Sequence, residues 1–318
     1  MKAIGIEIFG DVDQLKMLEV PQPKPSSQEI LIDVEYAGVN PIDWKVREGM
    51  LKDMLPHHFP VILGFEVSGI VKEVGDAVTT FQIGDPVFAC CFKPVMQWGS
   101  YAETVTLNAK NAVHKPANLS HAEAASLPVG ALTAWQGLFD KGHLQKGQTV
   151  FIQAGAGGVG SFAIQFAKLH GATVITTARE ENHSYVKNLG ADYAIDYTNT
   201  DVPAQIKQHF PEGVDLVFDC LGPKGINTCI SVLKPGGALI TIVNQTVEQS
   251  QLPPKARFEL FMMNNNADQL QHIAQLINDG QVKLPKITEM RLQDAASAHV
   301  KSQEGHTTGK IVLKVTRK

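Results

Sequence analysis

The sequence has little cysteine, no basic tract and no long apolar run, and each shortage closes off a class of protein. Its four cysteines are Cys90 and Cys91, side by side, and Cys220 and Cys229 far downstream. No CxxC pair occurs among them, so neither a disulfide framework nor a zinc knuckle is expected. Lysine and arginine number 28 against 32 aspartate and glutamate, a formal charge of -4, and nowhere do they gather into a stretch that tracks a phosphate backbone. Nucleic acid and an anionic membrane surface are therefore not expected partners. The apolar residues after Met1 are cut by Glu7, Asp11 and Asp13, too early for a signal peptide's apolar region or a membrane span. The expectation is a soluble protein of the reducing cytoplasm. Internal repeats and low-complexity tracts are lacking too.

What is present is apolar material for more than one core: 318 residues, 44% hydrophobic and 19% charged, which points to about two domains. The first third reads as short β-segments punctuated by proline and glycine: Lys2–Ile8, the extended connector Val20–Pro25, Glu29–Tyr36, Val61–Val74 broken at Gly64 and Gly69, and Val87–Cys91. From about residue 125, apolar runs alternate with helical patterns. Thr149–Gln153 is a strand candidate, and Val159–His170 carries Val159, Phe162, Ala163 and Phe166 on one helical face. Further strands are expected at Ala172–Thr177, at Asp215–Phe218, at Ala238–Val243 after a Pro235-Gly236-Gly237 turn, and at Phe258–Met263. A helix over Ala267–Asn278, closed by Gly280, and a strand-like Lys310–Val315 complete the chain. Strands alternating with helices of this length imply βαβ units, so the fold class is α/β: a mostly β domain plus a doubly wound parallel sheet.

The sharpest motif is Gln153-Ala154-Gly155-Ala156-Gly157-Gly158-Val159-Gly160, between a strand and a helix candidate. Gly155, Gly157 and Gly160 satisfy GxGxxG: one glycine makes the tight turn, one admits a pyrophosphate close to the backbone, and one lets the helix pack on the strand. With Gly158 and Val159 they would cradle a dinucleotide diphosphate at the helix's positive end; the alternative is a glycine turn that merely tightens packing. The second strand ends in Thr177-Ala178-Arg179, with Arg179 where an NAD site places its acid about 20 residues on. A guanidinium suits a 2′-phosphate and so favours NADP(H), although Glu180-Glu181 offer Arg179 a surface ion pair instead.

These residues resemble the medium-chain dehydrogenase/reductase superfamily, in its zinc-free quinone oxidoreductase and alkenal/enone reductase branch. The resemblance runs through Gly38-Val39-Asn40-Pro41-Ile42-Asp43, Gly64-Phe65-Glu66-Val67-Ser68-Gly69, Leu127–Ala134, the Gly155–Gly160 turn, Leu189-Gly190-Ala191-Asp192 and Gly309-Lys310-Ile311-Val312. It implies a GroES-like catalytic domain formed by residues 1–124 and 266–318, a Rossmann NADP(H)-binding domain at 125–265, and a homodimer. Zinc-bearing relatives ligate their metal near the positions of Asn40, Phe65 and Pro128, and neither Phe nor Pro has a side chain that binds Zn²⁺. No metal is therefore expected. The acceptor should itself be electron-poor, a quinone or an α,β-unsaturated aldehyde or ketone, and its nascent oxyanion needs hydrogen-bond donors.

The resemblance places Lys45, at the end of Asn40-Pro41-Ile42-Asp43-Trp44-Lys45, at the position that contacts cofactor and substrate; otherwise it is a solvated lysine. Asn40 either orients substrate or carboxamide, or caps a turn, and Asp43 shapes the loop by hydrogen bonding, a general-acid role being the alternative. Thr133 and Tyr197 are carried over as cofactor contacts. Cys220, Leu221 and Val243 end strands on the cofactor side, with Cys220 read as a packing residue and not a nucleophile. Phe92, Met96 and Trp98 either line an apolar acceptor pocket or belong to a partly buried loop. Two other readings stand beside the reductase: an enoyl-thioester reductase, and a redox sensor or structural protein that binds NADPH without turnover.

Overall fold

The computed structural model describes residues 1–243, 245–305 and 307–315. The chain divides into two compact units. The first comprises Met1–Val129, Asn265–Asn278 and the chain from Lys286 onward; the second comprises Gly130–Asn264 and Asp279–Pro285.

In the first unit the strand Glu29–Val39 is the hub. It pairs antiparallel with Glu66–Val74, with Thr104–Asn108 and with the late strand Lys310–Lys314. The last of these lies parallel to Ile287–Arg291, so one sheet joins strands from both ends of the chain. Ile30, Ile32 and Val34 alternate along the hub strand as period-two burial demands, and they meet Val67, Val71, Val87, Val105 and Leu107 in one apolar core. A four-stranded sheet, ordered Lys16–Glu19, Lys2–Ile6, His57–Ile62 and Met96–Trp98, completes this mostly β unit. Lys2–Ile8 thus narrows to Lys2–Ile6, and Val61–Val74 separates into two strands where Gly64 takes φ 95°.

The second unit is built on six parallel strands: Thr149–Ile152, Thr173–Thr177, Tyr193–Ile195, Val214–Asp219, Leu233–Thr241 and Arg257–Leu260. Numbered along the chain, their spatial order is 3-2-1-4-5-6, the doubly wound Rossmann arrangement. Phe151, Ile175, Val217 and Leu239 are register partners across neighbouring strands and form one continuous apolar row. Both faces of such a sheet are covered, so the strands read as apolar runs and not as alternating ones. The helix expected at Val159–His170 spans Gly160–Leu169. The Pro235-Gly236-Gly237 turn lies inside the strand Leu233–Thr241, as a local irregularity with Gly236 at φ 75°. The helix Ala267–Asn278 has the bounds its periodicity gives, with Leu270, Ile273, Ala274 and Ile277 buried. Among the described residues no helix is long and apolar enough to cross a membrane.

Candidate active site

Each unit contributes candidate residues. In the second, parallel strands place all their carboxyl ends on one edge, and the order reverses between the first strand and the fourth. Ligands of open α/β sheets bind at such a reversal. The glycine turn follows the first strand there. Gly155 N–H donates to the Thr177 carbonyl at 3.0 Å and Ala154 N–H to the Thr177 hydroxyl at 3.1 Å, which ties the turn to the end of the second strand. Ala154 takes φ 54°, so the tight bend falls one residue before the first motif glycine. A Cβ on Gly160 would run into the Ala154 carbonyl, whereas one on Gly157 would meet only that oxygen, at 3.3 Å. Gly157 is thus much the less crowded of the two. Among the described residues the N–H groups of Ala156, Gly158 and Val159 have no hydrogen-bond partner, and they stand at the positive end of the Gly160–Leu169 helix.

Ala178 and Arg179 follow the second strand. Arg179 makes no ion pair with Glu180 or Glu181; its Nε donates to the Tyr197 hydroxyl at 3.3 Å. Tyr197 lies beyond the third strand and is 47% exposed. Cys220 and Leu221 follow the fourth strand, and Val243 the fifth. Thr133 is buried on the Pro128–Trp135 helix. A partly buried Cys220 thiol is pushed well up by desolvation and by the Asp219 carboxylate, which suits packing and not nucleophilic attack.

Asp219 opens the Asp219-Cys220-Leu221-Gly222 stretch, where the sequence suggests no role for it. It is fully buried: Oδ1 accepts the Leu221 and Gly222 N–H groups, both at 2.9 Å, while Oδ2 accepts the Thr241 hydroxyl at 2.7 Å and Gln245 Nε2 at 2.6 Å. One carboxylate therefore fixes the segments that carry Leu221 and Val243.

In the first unit the helix Pro41–Arg47 bears Lys45. The residue is half-buried, and its ammonium has no hydrogen-bond or ion-pair partner among the described residues; it lies over the Trp44 ring, 5.6 Å from the centroid. Burial lowers its pKa. Asn40 is the residue before that helix, and its side chain is spent inside the protein: Nδ2 donates to Glu66 Oε1 at 2.8 Å and Oδ1 accepts the Lys310 ammonium at 2.5 Å. Asp43 Oδ2 accepts the Asn40 N–H at 2.7 Å and Oδ1 the Gly64 N–H at 3.0 Å. Met96 is buried, and Phe92 and Trp98 are half-buried against the first unit's apolar core.

A zinc ion does not fit these residues. The positions that would ligate it hold a hydrogen-bonded Asn40, Phe65 and Pro128. Burial holds the Cys90 and Cys91 thiols protonated, Cys91 with a pKa of about 12. Among the described residues no group of three or more His, Cys, Asp and Glu side chains is arranged to hold a metal.

Comparison with known proteins agrees with this architecture. Residues 26–117 match the alcohol dehydrogenase GroES-like domain family, and residues 189–313 match a family described as zinc-binding dehydrogenase. The chain is 33% identical over 316 residues to a chloroplast envelope quinone oxidoreductase homolog of Arabidopsis thaliana, covering 96% of this chain and 95% of the relative. It is 34% identical to an NADPH-dependent alkenal/one oxidoreductase of the same plant, covering 98% of this chain and 79% of that one. The solved quinone oxidoreductase of Coxiella burnetii superposes with a TM-score of 0.89 at 34% identity, over 99% of both chains. The chain therefore belongs to the medium-chain dehydrogenase/reductase superfamily, in its quinone oxidoreductase and alkenal/enone reductase branch.

Proposed function

We propose that this chain is a zinc-independent reductase that moves hydride from NADPH to a quinone or to an α,β-unsaturated aldehyde or ketone. The observation that carries the reading is the glycine turn at the strand-order reversal, with its three unpartnered N–H groups and its less crowded Gly157. Gly155, Gly157, Gly158, Val159 and Gly160 would hold the diphosphate. Arg179, unpaired with its acidic neighbours, would meet the 2′-phosphate beside Tyr197 and Ala178. Cys220, Leu221, Val243 and Thr133 are assigned to the rest of the cofactor. Bound NADPH supplies the hydride.

Lys45 is assigned the oxyanion. Hydride arriving at the β-carbon of an enone moves the π electrons onto oxygen, and an ammonium with no internal partner is free to stabilise that charge. Water then supplies the proton that completes the reduction. Asn40 is assigned to the same segment, acting through its bonds to Glu66 and Lys310 and not by touching the acceptor. The proposal includes a cytoplasmic homodimer.

The test is NADPH oxidation by the purified chain against quinones, enals, enones and enoyl-CoA thioesters. Turnover of quinones or enones, undiminished after chelation, is the expected result. Binding without turnover of any acceptor supports the sensor reading instead, and a strict need for added zinc removes the metal-free mechanism. Lys45→Ala should lower kcat/KM for an enone at least tenfold; an unchanged value takes Lys45 out of the reaction.

A further inference from the structure

The first unit holds a buried ion pair that the hydride-transfer reading leaves without a role. Lys310, at the start of the late strand, and Glu66 are 244 residues apart and meet at 2.5 Å, with side chains 3% and 0% exposed. The ammonium has three donors and three acceptors: Glu66 Oε1, Asn40 Oδ1 at 2.5 Å and the Val39 carbonyl at 3.3 Å. Glu66 is equally committed. Oε1 also accepts Asn40 Nδ2, and Oε2 accepts the Val129 N–H at 2.8 Å. Gly38 presses against this carboxylate, since a Cβ there would collide with it. Removing two charges from water is seldom repaid in stability over apolar side chains of like volume. What such a pair does supply is direction, because each donor of the ammonium has an acceptor and both oxygens of the carboxylate accept a donor.

The direction it sets is that of Asn40, the residue that begins the helix carrying Lys45. Asn40 is gripped twice by its side chain, and its N–H is gripped by Asp43, whose other oxygen is anchored on Gly64. Lys45 lies two residues beyond Asp43, on a helix of seven residues, Pro41–Arg47. We propose that Lys310 is a positioning residue: with Glu66 and Asn40 it fixes the start of the Pro41–Arg47 helix, so that the unpartnered ammonium of Lys45 is held at the acceptor oxygen. This rests on the assignment of Lys45 to the oxyanion.

A pH readout distinguishes electrostatic positioning from simple support. The groups facing the buried Asp43 are Glu66, Lys310, the Tyr101 hydroxyl and the Cys90 and Cys91 thiols, and Lys310 is the one cation among them. Removing it leaves carboxyls facing one another, so protonation of the cluster extends to higher pH.

The experiment compares Lys45→Ala, Lys310→Met, Lys310→Arg and the Lys45→Ala/Lys310→Met pair in the full chain, with kcat and KM for an enone across pH and NADPH affinity by fluorescence. Expected for Lys310→Met are a tenfold or greater fall in kcat, NADPH affinity within twofold of the parent, and an acidic limb displaced to higher pH. Lys310→Arg, which keeps the charge, should recover most of the rate, and the pair should be no slower than Lys45→Ala alone. If Lys310→Met does not fold by circular dichroism, Glu66→Gln takes its place in the same comparison. A parental kcat in Lys310→Met beside an impaired Lys45→Ala overturns the positioning role and leaves the Lys45 assignment standing, as do losses that simply multiply in the pair. A silent Lys45→Ala removes the assignment and the positioning role together.

Discussion

Asp43 is fully buried yet receives two backbone N–H donors, and the cost of burial outweighs them: its pKa is pushed up to about 7, with the Glu66 charge adding to the rise. The folded protein therefore holds this proton where the unfolded chain has released it. Stability from this group is full below the ordinary aspartate range and falls as pH climbs to about 7, with a slope of at most about 1.4 kcal/mol per pH unit. His121 and His299 act in the opposite sense. Desolvation lowers them to about 4 and about 3, so they withdraw stability as pH falls below about 6.5. Asp43→Asn should remove the first trend alone, and thermal midpoints recorded between pH 4 and 7 should then rise with pH more steeply than in the parent; identical pH curves would sink this account. At Arg179 the expected change is in selectivity. Arg179→Ala forfeits a charge-assisted contact worth about 1.5–3 kcal/mol, so KM for NADPH should rise roughly 10- to 100-fold while that for NADH stays put. Arg179 and Lys45 can be proposed from the sequence because their neighbours in the chain single them out. The Glu66–Lys310 pair and the reach of Asp219 to Thr241 and Gln245 are not open to such reading, because partners 244, 22 and 26 residues apart are joined only by topology.

Among the elements, the glycine turn separates two demands that one motif conceals. Gly160 is crowded by the Ala154 backbone, and Gly157 meets only the Ala154 oxygen, at 3.3 Å. Gly160→Ala should therefore lower both the melting temperature and NADPH affinity. Gly157→Ala should leave melting within about 2 °C, a change of about 1 kcal/mol or less, yet weaken NADPH at least tenfold by filling the approach to the diphosphate. Calorimetry alongside a cofactor titration reads both, and equal melting losses would mean that Gly157 also serves packing. Elements with a strong period were legible: Ala267–Asn278 shows its buried face in the sequence as in the structure. The Pro41–Arg47 helix passed unnoticed because it is only seven residues long and has Lys, Arg and Asp among them, and Asp43 and Arg47 are nonetheless buried. The strand Leu233–Thr241 reaches further back than expected only through a single pairing of Leu233 with Val214; continuous pairing starts at Ala238, after the Pro-Gly-Gly interruption.

At the scale of the molecule, alternating strands and helices announced the second unit, while the sheet order that creates its binding edge needed the structure. The first unit is harder to read, since its central sheet takes the strand Lys310–Lys314 from far along the chain and seats it beside Glu29–Val39. A chain ending at residue 309 should lose this unit. The hub strand would lack a neighbour, and Glu66 would be buried without its cation, a loss of the kind that costs about 3–5 kcal/mol; near-UV circular dichroism and solubility report it, and a folded, soluble truncation would contradict it. The same topology imposes an order on synthesis. The second unit is complete when Pro285 leaves the ribosome, whereas the first, begun earlier, waits for the last strand to emerge. Through that interval the nascent chain carries an open sheet edge and an uncompensated carboxylate, which makes the first unit the later to close.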